Sequence, residues 1–191
     1  MSLILLILAY TLLASLFYVE YHYESRRATT TLETAGDDRG TTRLLFIVYF
    51  LVIVFSLLFV VLFDAGDTTT TSAYISWVGL PLMLMAIVLL RWTTLTNPFY
   101  LRSMSTTDDH YICTDGPYKT IRHPGYCAFL IAWTGFAIIF GNWISFLLIF
   151  MPIICVYLLR IQAEEQMMLD RFGVDYQQYM YETYRIIPFI F

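Results

Sequence analysis

The chain has 191 residues, of which 59% are hydrophobic and only 14% charged, with a mean hydropathy of +0.65. A soluble domain carries about 25% charged residues, so the composition excludes one and describes an integral membrane protein. A net charge of −4 gives no support to nucleic acid as a partner. The three cysteines, Cys113, Cys127 and Cys155, have neither metal-ligand spacing nor even pairing. No Gly-x-Gly, Gly-x-Ser-x-Gly or His-Glu-x-x-His occurs, so a dinucleotide loop, a nucleophile elbow and a zincin helix are all missing from the sequence.

Residues 2–19 form an uninterrupted apolar run. At 1.5 Å per residue it makes a helix of about 27 Å, long enough to cross a bilayer. A secretory signal would begin with basic residues and end at a small-x-small site. The run shows neither, and it reads as an uncleaved first span. Residues 20–43 read as a solvated polar connector with a turn-rich centre at Gly36-Asp-Asp-Arg-Gly40. Residues 44–63 are a second span, and Asp64 and Asp67 lie in the short loop after it. Residues 73–90 are a third, with Pro81 as a kink that membrane helices tolerate. Arg91 and Trp92 mark its exit at the interface.

Residues 97–122 are amphiphilic: too polar to span and too aromatic for a free linker. Residues 126–140 and 143–159 are two further apolar runs, joined by a tight Gly141-Asn142 turn into a helical hairpin. The second run continues past the bilayer to Phe172. Gly173 is its natural C-terminal cap, and a short tyrosine-rich helix follows over 175–183. The expected fold is all-α: a polytopic membrane bundle of five transmembrane helices with a cytoplasmic helical cap at the C-terminus. It forms one membrane domain over 1–191. Residues 1–92 are expected to form a three-span anchor, and 93–191 a second half built around the hairpin 126–159.

Charge sets the expected topology. With five spans, all eleven basic residues fall on one side and Asp64 and Asp67 on the other. The positive-inside rule then puts the N-terminus outside and the C-terminus, with the site, in the cytoplasm.

Two segments carry the chemistry. One runs from His110 to Tyr126 and includes Asp115-Gly-Pro-Tyr-Lys-Thr-Ile-Arg-His-Pro-Gly-Tyr126. The other is Arg160-Ile-Gln-Ala-Glu-Glu165, where Arg160 and Glu164 share a helix face at i,i+4. An ionisable pair about one turn beyond an apolar run is costly unless it is paired or functional. The bland readings are a snorkelling Arg160, a solvated glutamate face, a loop histidine at His123 and an interfacial belt of Tyr111, Tyr118 and Tyr126.

The ordered combination is more specific. His110-x2-Cys-x2-Gly-Pro-Tyr-x3-Arg-His-Pro-x-Tyr126, the hairpin, Arg160-x3-Glu-Glu165, Phe172-Gly-x2-Tyr-x2-Tyr179 and Ile187-Pro188 together resemble the isoprenylcysteine carboxyl methyltransferase family over residues 91–191. The resemblance implies a multi-span enzyme that uses S-adenosylmethionine, leaves S-adenosylhomocysteine and needs no metal. His110, Tyr111, Ile112 and Cys113 match its cofactor-pocket segment, and Tyr118 its cofactor-contacting tyrosine. His123, Pro124, Gly125 and Tyr126 match the loop that closes over the cofactor. Glu164 matches the cofactor-binding glutamate and Arg160 the arginine that faces the methyl acceptor; these two are the catalytic candidates. A further polar contact of the family would fall near Ser103, where the segment aligns poorly.

The physics agrees with those roles. Transfer from a sulfonium is an in-line displacement in which positioning dominates. A carboxylate acceptor is already ionised near neutral pH and needs a cation, not a base. An amine or thiol acceptor would want a base, for which Glu164, Glu165 and His123 are candidates. A lipophilic or lipid-linked acceptor that enters from the bilayer explains the membrane setting. This chain has fewer spans than the eukaryotic members and matches the short, prokaryote-type form, so prenylated proteins are not implied as substrates. The alternatives are a phospholipid N-methyltransferase, an NADPH-dependent sterol-reductase-like oxidoreductase, which Tyr184-Arg-Ile-Ile-Pro188 resembles, and a non-catalytic membrane scaffold.

Overall fold

The structure is a computed structural model, and it describes residues 3–27, 40–63, 70–100 and 110–188. Among the described residues, six α-helices follow in order: α1 (Leu3–Arg27), α2 (Thr41–Phe63), α3 (Thr70–Thr96), α4 (Pro124–Ile139), α5 (Trp143–Phe172) and α6 (Val174–Glu182). A single 3₁₀ turn, Gly116–Lys119, precedes α4. Ser103, Arg39, Arg102, Asp64 and Asp67 lie outside the described residues.

Four helices, α1, α2, α3 and α5, are long and apolar enough to cross a membrane. The fifth expected crossing, α4, is shorter, at 16 residues. It is largely surrounded by protein: Trp133, Phe136 and Ala137 on it are fully buried. The four long helices instead present Leu3, Phe50, Val61, Val88 and Leu148 outward, as expected of surfaces that face lipid.

Two sequence boundaries move by more than three residues. The first helix does not stop at residue 19 but continues to Arg27, and Glu20 is buried at 3% exposure. The reading of residues 20–43 as a solvated connector is therefore corrected over its first eight positions. Nothing from Glu20 to Arg27 breaks a helix, and Glu20 finds a partner inside the protein. The third helix likewise runs on to Thr96, continuous through Pro81.

The hairpin matches its expectation. Gly141, at φ 61°, makes the turn. The Asn142 side chain then caps α5, its Oδ1 accepting from the Ile144 and Ser145 amides at 2.8 and 3.3 Å. Gly173 ends α5, its amide donating to the Leu169 carbonyl at 2.8 Å.

The largest helix contact, between α3 and α4, is built on glycine. A Cβ on Gly79 would lie 2.3 Å from the Gly135 carbonyl oxygen, and one on Gly135 would lie 2.6 Å from that of Gly79. Without a hydrophobic force between helices in lipid, such close backbone approach is how membrane helices gain packing.

One end of the bundle collects the C-terminal ends of α1, α3 and α5, the N-terminal ends of α2 and α4, and all of α6. Among the described residues every basic side chain, from Arg43 to Arg185, belongs to this end or to the segments attached to it.

Candidate functional site

At that end lies a pocket with about 950 Å³ of empty space, its open mouth included. Its wall contains the residues that the resemblance placed on the cofactor and the acceptor: His110, Tyr111, Ile112, Cys113, Tyr118, His123, Pro124, Gly125, Tyr126, Arg160 and Glu164. Two segments about 40 residues apart in sequence thus meet because α4 and α5 fold back on each other.

The centre of the site is the Tyr126 hydroxyl. It donates to Glu164 Oε2 at 2.8 Å and accepts from Arg160 Nε at 3.2 Å. Arg160 is 1% exposed. Its Nη1 donates to Thr42 Oγ1 at 2.8 Å and Thr41 Oγ1 at 3.4 Å, both on the first turn of α2. The guanidinium is thereby held rigidly at the pocket wall, so the snorkelling reading of Arg160 is excluded. Beside it, the Tyr49 and Tyr157 hydroxyls are hydrogen-bonded to each other and both side chains line the pocket.

Glu165, the neighbour of Glu164, does something different. It is 4% exposed and receives three partners. Arg122 Nε reaches Oε1 at 3.0 Å, His123 Nε2 lies 3.2 Å from the same oxygen, and Arg185 Nη2 reaches Oε2 at 2.8 Å. The one carboxylate is shared by two cations, the nearly buried Arg122 and the partly exposed Arg185, and so is not left as a lone buried charge. A carboxylate so engaged is poorly placed as a general base, and the sequence-based candidacy of Glu165 for that role is set aside.

The same clasp fixes the loop. Arg122 Nη1 also donates to the Met180 carbonyl at 2.9 Å and to the Thr183 carbonyl. The chain after α6 runs alongside it, forming an isolated parallel bridge between Ile121 and Tyr184. The Tyr184 amide donates to Thr120 O at 2.9 Å, the Arg122 amide to Tyr184 O at 2.8 Å and the His123 amide to Arg185 O at 3.1 Å. Tyr179 adds a bond from its hydroxyl to the Tyr118 carbonyl at 2.8 Å. The loop that carries His123, Pro124 and Gly125 is therefore held by the C-terminal segment.

Aromatic faces fill much of the remaining wall. His110 stacks on Phe99 with centroids 4.6 Å apart, and Tyr111 meets the same ring edge-on at 4.8 Å. The Asn97 side chain lies beside the Tyr118 hydroxyl in the same wall. Burial raises the pKa of Tyr100, Tyr118, Tyr176 and Tyr179, so these phenols stay neutral. Cys113 is buried, its thiol directed to the Thr96 carbonyl at 3.8 Å. Burial raises its pKa as well, which makes it a packing group rather than a nucleophile. Among the described residues no three His, Cys, Asp or Glu side chains gather as metal ligands would.

Sequence reasoning missed several wall residues: Glu20 from α1, Leu45 and Tyr49 from α2, Asn97, Phe99 and Tyr100 after α3, and Tyr157. The aromatic Asn97-Pro-Phe-Tyr100 stretch after a span was a usable signal. Nothing local marked Glu20, whose partner lies 80 positions away.

Known proteins resemble this chain in sequence and in fold. The family described as phospholipid methyltransferase matches residues 74–175, more than half of the chain. The protein-S-isoprenylcysteine O-methyltransferase of Schizosaccharomyces pombe is 37% identical over 82 residues, covering 43% of this chain and 35% of that protein. A probable protein-S-isoprenylcysteine O-methyltransferase of Oryza sativa subsp. indica is 28% identical over 120 residues, covering 61% of this chain and 63% of that one. The chain thus spans less than two thirds of the length of these relatives. The solved structure of the eukaryotic intramembrane Ras methyltransferase, an isoprenylcysteine carboxyl methyltransferase, superposes with a TM-score of 0.61 at 25% identity, over 75% of this chain and 52% of that one. With the family match covering more than half its length, and with these relatives beside it, the chain belongs to the phospholipid methyltransferase family and is similar within it to the isoprenylcysteine methyltransferases.

Proposed function

We propose that the chain is a membrane methyltransferase that uses S-adenosylmethionine and methylates a lipophilic acceptor, a carboxylate of the isoprenylcysteine kind. The observation that carries this reading is the Glu164–Tyr126–Arg160 relay, which puts a carboxylate and a guanidinium on one pocket wall through a single hydroxyl. The relatives named for isoprenylcysteine methylation support the reaction class.

The wall fits the cofactor chemically. It offers Glu164 to a hydroxyl or amine of the donor, and aromatic faces at Phe99, His110 and Tyr118 for stacking. When bound, S-adenosylmethionine supplies an electrophilic methyl on a sulfonium. The residues of this chain then have three tasks. Arg160, fixed by Thr41, Thr42 and Tyr126, draws in and orients an anionic acceptor oxygen. Because that oxygen is ionised near neutral pH, no side chain has to remove a proton. The Tyr126 hydroxyl, whose proton is directed at Glu164, keeps the two charged groups in fixed relation, and such preorganisation is where a displacement of this type gains its rate.

In this reading residues 93–191 hold the cofactor and do the chemistry, while 1–92 anchor them. The basic end of the bundle faces the cytoplasm, so the water-soluble donor enters from there and the acceptor from the bilayer. The family match keeps one second reading in play, methylation of a phospholipid amine.

The test is calorimetric binding of S-adenosylhomocysteine to the detergent-purified protein, wild type against Glu164→Ala. Binding that is lost in the variant supports the reading. Turnover on a prenylated cysteine against phosphatidylethanolamine vesicles then decides the acceptor. No binding to a folded wild type sinks the reading and makes NADPH the next ligand to try.

A further inference from the structure

The first helix lies outside the family match, yet it places a carboxyl group in the pocket wall. Glu20 lies within a candidate membrane span, is 3% exposed and lines the pocket. An ionisable side chain inside a span is expensive and is kept where it serves a site. Its Oε1 accepts a hydrogen bond from the Tyr100 hydroxyl at 3.0 Å. The Tyr100 ring in turn covers Gly125, the loop glycine at the start of α4. A Cβ on Gly125 would lie 2.6 Å from Tyr100 Cε2 and 3.0 Å from its hydroxyl oxygen. Glu20, Tyr100 and Gly125 are thus stacked in contact, from the bundle interior to the loop.

We infer that Glu20 is a positioning residue for the cofactor half of the site, holding the Tyr100 ring against Gly125 and so fixing the loop that carries His123 and Gly125. The inference rests on the proposed methyltransferase reading. The geometry supports it in two ways. A tyrosine ring packed on a glycine is free to slide unless its hydroxyl is tied, and Glu20 ties it. Burial also raises the Tyr100 pKa, so its hydroxyl remains a donor to Glu20. Glu20→Gln keeps an accepting oxygen; Glu20→Leu removes it but keeps the volume; Tyr100→Phe removes only the hydroxyl.

The experiment measures S-adenosylhomocysteine affinity, and turnover at saturating cofactor, for wild type and these variants in detergent. Glu20→Leu and Tyr100→Phe each weaken binding about tenfold, the loss expected for one buried hydrogen bond. They raise the cofactor KM while leaving kcat within about twofold, a split that general destabilisation would not produce. Glu20→Gln binds within about threefold of wild type, and the Glu20→Leu, Tyr100→Phe double variant is no weaker than either single one, because both remove the same bond. Wild-type affinity in both single variants, or additive losses in the double variant, overturns the inference and leaves the methyltransferase reading standing. Should Glu20→Leu fail to fold, Tyr100→Phe decides. Failure of the wild type to bind S-adenosylhomocysteine overturns both.

Discussion

The two halves of this bundle bury charge in opposite ways. From the 3₁₀ turn onward, charged side chains are grouped: Glu165 alone gathers Arg122, His123 and Arg185, and the Tyr126 hydroxyl joins Glu164 to Arg160. In the first three helices the buried polar groups are dispersed: Glu20 on α1, Thr41 and Ser56 on α2, Ser76, Thr93 and Thr94 on α3. The dispersed groups are hydroxyls apart from Glu20. The difference teaches that this site is not confined to the half that holds its charges. The charged half supplies the groups, and the apolar half supplies the hydroxyls and the single carboxyl that hold them still.

Breaking the charged half should have the largest effect. Glu165→Leu leaves two cations without their shared carboxylate, and we expect a loss of about 3–5 kcal/mol in unfolding free energy, measured by denaturation in detergent. A wild-type midpoint would mean that the clasp contributes nothing to the fold. Arg160→Lys keeps the charge but loses the planar fork that reaches Tyr126 and α2. Turnover should fall about hundredfold while S-adenosylhomocysteine affinity holds; an equal loss in both would move Arg160 to the cofactor side.

The seam between the halves comes next. Gly135→Ala puts a methyl against the Gly79 carbonyl at 2.6 Å, with Leu82 and Met83 at 3.0 Å. Overpacking of this kind costs about 1–3 kcal/mol, and a neutral result would show that α3 and α4 can part freely. The smallest effect belongs to the apolar half. Tyr49→Phe removes one hydroxyl from the pair with Tyr157, for about 1 kcal/mol. A loss as large as that of Glu165→Leu would erase the contrast between the two halves.

Much of this was legible in the sequence, for identifiable reasons. The second helix and the hairpin were visible because hydropathy and a Gly-Asn turn are local signals. The wall formed by His110–Cys113, Tyr118, the His123–Tyr126 loop, Arg160 and Glu164 was visible because the ordered motifs resemble those of a known family, and the resemblance implied a pocket there. What stayed hidden depends on distance along the chain. The first helix was cut short at Glu20, since an apolar run ends at the first charge while a helix need not. Glu165 looked like Glu164 because adjacent glutamates on a helix cannot be told apart until the partners of each are known. Arg122 was seen but its duty was not, as its carbonyl partners sit near 180.

The strap formed by Tyr184 and Arg185 along residues 120–123 also constrains the order in which the protein can be made. Each hydrophobic helix can enter the membrane as it leaves the ribosome, since its backbone bonds are satisfied within itself. The loop at 120–123 cannot settle then, because the Tyr184 amide and the Tyr184 and Arg185 carbonyls that hold it are more than 60 residues downstream. Membrane insertion and site formation are therefore separate events in the life of this chain, and a nascent protein can be fully threaded through the bilayer while its pocket has yet to form.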